Sequence, residues 1–275
     1  MGAAHSITER LIAPADAPAS SVDPDATPGA DRASAETELP ELRAQLEDLQ
    51  ERLWAEGTRS LLLVLQGMDT SGKGGTLKHV VSAMNPAGAD VVAFKEPTDE
   101  ELTHDFLWRV EKHLPGPGEV VAFDRSHYED VLVVRVHGLI DEPTWRDRYQ
   151  RINDFERRVS EAGTTIVKCF LHISFDEQRE RLLARLDDPT KHWKFRERDI
   201  EERALWQDYM AAYDHAIANC SSAEAPWFVI PADHKWYRNW AIATLLVETL
   251  ERMDPRYPPT DLDVPALKAR LAPPH

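Results

Sequence analysis

Ser60-Leu61-Leu62-Leu63-Val64-Leu65-Gln66 runs directly into Gly67-Met68-Asp69-Thr70-Ser71-Gly72-Lys73. The unbroken apolar run reads as a strand buried on both faces, and the G-x-x-x-x-G-K after it reads as a turn into a helix that cradles phosphate. Glycines at 67 and 72 let the backbone wrap closely, so that amides from Gly67 through Thr70, Ser71, Gly72 and Gly74 point at an anion while Lys73 reaches the outer phosphates. The full signature has Ser or Thr after the lysine to hold Mg²⁺, and this chain has Gly74. Asp69 is then the nearest candidate for the metal, because a carboxylate among phosphate-binding amides calls for a cation to offset its charge.

A partner motif follows in Gly118-Glu-Val-Val-Ala-Phe-Asp124-Arg125-Ser126. A short apolar run ending in Asp is how a second parallel strand delivers a metal-binding carboxylate beside the phosphate loop. Asp124 would hold Mg²⁺ or a water on it, and the Arg125 fork would clamp a phosphoryl oxygen. Further strands are expected at 90–94, 164–171 and 226–230, with helices from 36 to the first strand, from the loop to about 84, and at 99–113, 142–162 and 236–253. Alternation of this kind predicts a three-layer α/β fold, with helices on both faces of a five-stranded parallel sheet and ligands at the carboxyl ends of the strands. Leucines at 39, 42, 46, 49 and 53 place an apolar stripe on the first long helix, which suits core packing. The segment 179–203 is dense in charge and fits a helical lid that closes over the transferring group, with Arg185 the first choice to reach it.

A formal net charge of −16 argues against a nucleic-acid partner. Twelve acidic residues against four arginines fall within 1–56, however, and basic residues gather elsewhere: Lys73, Lys78, Lys95, Arg125, Arg135, Arg185 and Lys194. Cys169 and Cys220 make no C-x-x-C, and no apolar stretch has membrane-spanning length, so a soluble cytoplasmic protein is expected. His127, His137, His172, His192 and His234 show no metal spacing. Residues 1–35, rich in Ala, Pro, Ser and Asp, read as a disordered tail; the catalytic domain is expected over 36–258, and the Pro-rich 259–275 as a second loose tail.

The words Gly67-Met-Asp-Thr-Ser-Gly-Lys-Gly-Gly-Thr76, Phe123-Asp-Arg-Ser-His-Tyr-Glu-Asp-Val-Leu-Val-Val-Arg135, Trp193-Lys-Phe and Ala225-Pro-Trp-Phe-Val-Ile-Pro-Ala-Asp-His-Lys-Trp236 resemble the polyphosphate kinase type-2 family. The resemblance implies a fold like that of thymidylate kinase and Mg²⁺-dependent phosphoryl transfer between inorganic polyphosphate and ADP, ATP or other purine nucleotides, with Mn²⁺ an alternative metal. It carries functional roles onto Asp69, Lys73, Asp124 and Arg125, and a lid arginine that Arg185 would supply. Loops of that family carry the Asp of position 69, which removes the need for a hydroxyl at 74. Lys73, Lys78, Lys95, Arg125, Arg135 and Arg185 would line the polyphosphate track. His127 to Arg135 looks most like members that accept both mono- and diphosphates, although many of those carry Asn where this chain has Asp124. The resemblance also implies a homo-oligomer, dimer or tetramer. The rival is an ATP-dependent nucleoside or nucleotide kinase with the same loop and lid; a guanine-nucleotide switch is excluded by the missing Asn-Lys-x-Asp.

Overall fold

The computed structural model describes residues 6–272. In chain order the elements are α1 (Ile7–Leu11), α2 (Arg32–Glu56), β1 (Ser60–Gln66), α3 (Lys73–His79), β2 (Ala89–Ala93), α4 (Asp99–Leu102), α5 (Trp108–Glu111), β3 (Val120–Asp124) and α6 (Glu129–Val136). They continue with α7 (Glu142–Glu161), β4 (Thr164–His172), α8 (Phe175–Leu186), α9 (Arg198–Ala204), α10 (Trp206–Asn219), β5 (Trp227–Pro231), α11 (Lys235–Met253) and α12 (Val264–Leu271). A 3₁₀ turn, Pro189–Lys194, joins α8 to α9.

The sheet has five parallel strands in the order β2-β3-β1-β4-β5. β1 lies in the middle with every residue buried, which is why its sequence is apolar without alternation. Leu65 of β1 stands level with Asp124 of β3, so the loop after β1 and the carboxyl end of β3 open on the same edge. Helices α2, α3 and α11 pack together on one side, and α6, α7 and α10 on the other. The leucine stripe of α2 lies within the chain: Leu46, Leu49 and Leu53 are buried, with Leu39 and Leu42 against the same core. Gly57, left-handed at φ 63°, ends that helix and turns the chain into β1.

The N-terminal segment departs from the sequence expectation. Residues 6–31 are packed on the body: Ile7 and Leu11 are buried, and Ile12 forms an antiparallel bridge with Phe228 of β5. Glu248 of α11 accepts from the Ile7 and Thr8 amides at 2.9 and 3.0 Å, and Asp214 of α10 accepts from Ser20 N at 2.8 Å. The anchors are long-range bonds to other elements, so the segment needs no apolar period of its own. In the C-terminal tail, Asp263 caps α12 by accepting from Ala266 N at 3.0 Å, where an extended tail was expected. Residues 1–5 of the first tail and Pro273 and Pro274 of the second lie outside the described residues. The helix expected over 99–113 is two short ones, because the Asp105 side chain and carbonyl take the Leu107 and Trp108 amides and restart the turn.

At the end of α2, hydrogen bonding from Arg59 holds the Glu56 carboxyl down to about 2. A folded-state value below the unfolded one means this stability is present above the ordinary value of 4.5 and is lost as pH falls towards 2. Glu56→Gln is therefore expected to lower stability by about 1 kcal/mol at neutral pH after solvent screening. The gap in melting temperature should close on acidification; one that persists unchanged to about pH 3 contradicts the pairing.

Candidate active site

The loop after β1 is built on backbone that most side chains resist. Gly67 and Gly72 sit at φ 151° and 111°, and two non-glycines, Thr70 at 63° and Arg125 at 66°, are left-handed. Left-handed non-glycine residues persist only where the surroundings over-determine them. Around Thr70 the surroundings are two buried arginines. Arg181 of α8 donates to the Thr70 and Ser71 carbonyls at 2.8 and 3.2 Å and, with its other nitrogen, to Ala232 and Asp233 at 2.6 and 2.8 Å. Arg238 of α11 lies under the loop: a Cβ on Gly72 would fall 1.7 Å from its Nη1, and one on Gly75 2.6 Å from its Nη2. A Cβ on Gly74 would meet open space, so that glycine is not imposed by packing.

Lys73, the first residue of α3, is buried and donates to the Gly67 and Met68 carbonyls at 2.8 and 3.3 Å. Burial, then the charge of Arg125, pull its ammonium below the usual lysine range, while Asp124, Asp69 and Glu129 act in the opposite direction. The buried hydroxyls of Thr70, Ser71 and Thr76 have no hydrogen-bond partner among the described residues, a polar lining suited to an anion. Across the mouth, Arg125 donates its amide to Leu65 O at 3.0 Å, and its guanidinium feels the charges of Glu129, Asp124 and Asp69. From the lid side, Arg185 donates to both Asp69 oxygens, at 2.8 and 3.4 Å, and stands 3.7 Å from Asp199. Asp69, Lys73, Asp124, Arg125 and Arg185 thus gather at one mouth. In its favoured amide orientation, Gln66 donates to Glu129 at 3.0 Å and accepts from Ser126 N at 3.2 Å, which ties β1 to the start of α6.

The family model of polyphosphate kinase 2 (PPK2) matches residues 29–258. The chain belongs to the polyphosphate kinase 2 family. An AMP/ADP-polyphosphate phosphotransferase of Meiothermus ruber is 54% identical over 217 residues, 79% of this chain and 81% of the relative. An ADP-polyphosphate phosphotransferase of Rhodopseudomonas palustris is 44% identical over 80% of this chain and 81% of its own. The crystal structure of polyphosphate kinase 2 from Arthrobacter aurescens TC1 superposes with a TM-score of 0.95 at 50% identity, covering 98% of this chain and 97% of that one.

The donor set fits a hard divalent cation. Asp69 and Asp124 both lie near enough to Lys73 and Arg125 to act on their charges. No group of three His, Cys, Asp or Glu side chains that could hold a metal ion converges among the described residues. Not all the basic residues expected on the track share the mouth. Arg135 lies with its guanidinium 4.5 Å over the Trp145 ring, in the packing of α6 on α7. Lys78 and Lys95 are exposed, whereas Lys194, its ammonium 4.9 Å from the Trp193 ring centre, has its carbonyl 3.3 Å from Arg185, from which it accepts. Arg181, counted among the lid charges by its place in the sequence, is buried under the loop. Arg238 carried no motif; its signal is a basic residue on the buried, mostly apolar face of α11.

Gly72→Ala should lose about 3 kcal/mol or more, since the new methyl meets the Arg238 guanidinium at a left-handed position. Gly74→Ala should melt with the wild type. Equal melting temperatures for all three proteins would contradict the packing of Arg238 under the loop.

Proposed function

We propose that this chain moves a terminal phosphoryl group between inorganic polyphosphate and purine nucleotides, taking ADP and also AMP as acceptors, reversibly and with Mg²⁺. Nucleotide–polyphosphate phosphoryl transfer is the chemistry of the family to which the chain belongs. The observation that carries the finer reading is the meeting of Lys73 and Arg125 with Asp69 and Asp124 on the two strand ends that share one edge of the sheet.

Loop amides and Lys73 would hold the end of the donor, and Arg125 would bind the oxygens that gain charge as the bond to the leaving phosphate lengthens. Asp69 and Asp124 would hold Mg²⁺, which when bound neutralises phosphate charge and aligns donor with acceptor. Arg185 is shared between Asp69 and the donor, so that closing α8 and α9 over the mouth brings a further cation while excluding water. The acceptor's terminal phosphate oxygen attacks in line. No side chain need take the phosphoryl group, and because one phosphoanhydride replaces another the equilibrium stays moderate. Acceptance of AMP as well as ADP is supported by the likeness to the Meiothermus ruber phosphotransferase.

With long-chain polyphosphate as sole donor, the purified protein is expected to form ATP from ADP, and ADP then ATP from AMP, only with a divalent cation present. Lys73→Met and Asp124→Ala should each lower kcat at least roughly a hundredfold while leaving the melting temperature near that of wild type. Activity with ATP as donor and none with polyphosphate would overturn the reading.

A further inference from the structure

Behind the mouth lies a fully buried polar cluster that the reaction above does not use. Lys168 of β4 donates to Glu156 Oε2 at 2.5 Å, to the Cys220 carbonyl at 2.6 Å and to the Tyr128 hydroxyl at 3.0 Å. Tyr128 donates to Glu156 Oε1 at 2.8 Å, and His127 Nε2 lies 3.2 Å from the same oxygen. Trp227 closes the cluster edge-on, 4.7 Å from the Tyr128 ring. Lys168, Glu156, Tyr128 and His127 are each no more than 2% exposed.

Stability alone explains such a pair poorly. Taking both charges out of water costs more than many buried pairs return, and apolar residues of similar size often hold a core as well or better. What distinguishes this pair is the segment it grips. His127 and Tyr128 follow Arg125 by two and three residues, and Arg125 is a left-handed turn whose guanidinium lies near enough to act on the charge of Lys73. A strained turn keeps one conformation only if both sides are fixed. On one side the Arg125 amide is bonded to Leu65 O, and on β1 the preceding Val64 stands level with Lys168 itself. On the other side the grip on His127 and Tyr128 is the Glu156–Lys168 cluster.

We propose that the buried Glu156–Lys168 pair is a positioning device for Arg125: by clamping His127 and Tyr128 it holds the left-handed turn that presents the guanidinium to the transferring phosphoryl group. This rests on the reading of Arg125 as a catalytic residue. Glu156 and Lys168 touch no reacting atom, so their effect must pass through Arg125.

The test is a cycle of kcat values for ATP formation from polyphosphate and ADP in the full-length protein. Glu156→Leu with Lys168→Met keeps volume and removes both charges; it is expected to fold, by near-ultraviolet circular dichroism, with kcat down roughly tenfold or more. In an Arg125→Ala background the same pair of changes should have no further effect on kcat, the non-additivity of residues that act as one unit. Wild-type kcat in the double variant, or an equal loss with and without Arg125, overturns the proposal. Should the double variant not fold, Tyr128→Phe removes only the hydroxyl link; its kcat loss should likewise vanish without Arg125, and no loss at all counts against the clamp. Arg125→Ala with wild-type turnover would remove the role of Arg125 and this inference with it, whereas an impaired Arg125→Ala beside a normal double variant removes the inference alone.

Discussion

The packing of two buried guanidinium groups against the underside of the phosphate loop is the constraint on which the site depends. Arg181 pulls the Thr70 and Ser71 carbonyls inward, and Arg238 fills the space that glycines at 72 and 75 leave open. With the Ser71 carbonyl turned back, the Gly72 amide of the same trans peptide points the opposite way, as an anion requires, while the Ser71 amide is taken by Met68 O at 3.1 Å. Burial, and then the charge of Arg181, push Arg238 down to about 10, so it stays charged at neutral pH. The loop therefore has two cations behind it as well as Lys73 within it, a fixed positive field in a chain whose formal net charge is −16.

That field resolves the conflict between an acidic protein and a polyanionic substrate. Much of the acidity lies in α2 and the segment before it, where Glu38 accepts from Trp240 Nε1 and Asp31 caps the helix. At the mouth Asp69 and Asp199 both face Arg185, at 2.8 and 3.7 Å. The parallel sheet does the arranging: a register that sets Leu65 level with Asp124 puts loop and carboxylate side by side without any long-range side-chain contact.

What the sequence revealed and what it hid follow from how each feature is encoded. The strand, the loop and Asp124-Arg125 are contiguous words whose chemistry is local, and all of them stand where they were expected. Arg181 and Arg185 are four residues apart on one helix and share a face, yet the first lies buried on loop carbonyls and the second reaches a carboxylate. Spacing could not separate them; only the approach of α8 to the loop does. Arg135 carries the same charge as Arg125, but the Trp145 ring of α7 absorbs it into helix packing. The N-terminal segment was illegible for a different reason: its order comes from Glu248 and Asp214, more than 190 residues away in sequence, and a composition poor in large apolar groups gives no hint of such partners.

Calorimetric binding of tripolyphosphate to the wild type and to Arg238→Lys tests most directly whether the loop is shaped from behind. A lysine keeps the charge but cannot fill the space under both glycines or present a planar fork. If buried shape sets the cradle, the variant should retain its near-ultraviolet circular dichroism and bind at least roughly tenfold more weakly, about 1.4 kcal/mol. Equal affinity would mean that the loop holds its form without Arg238.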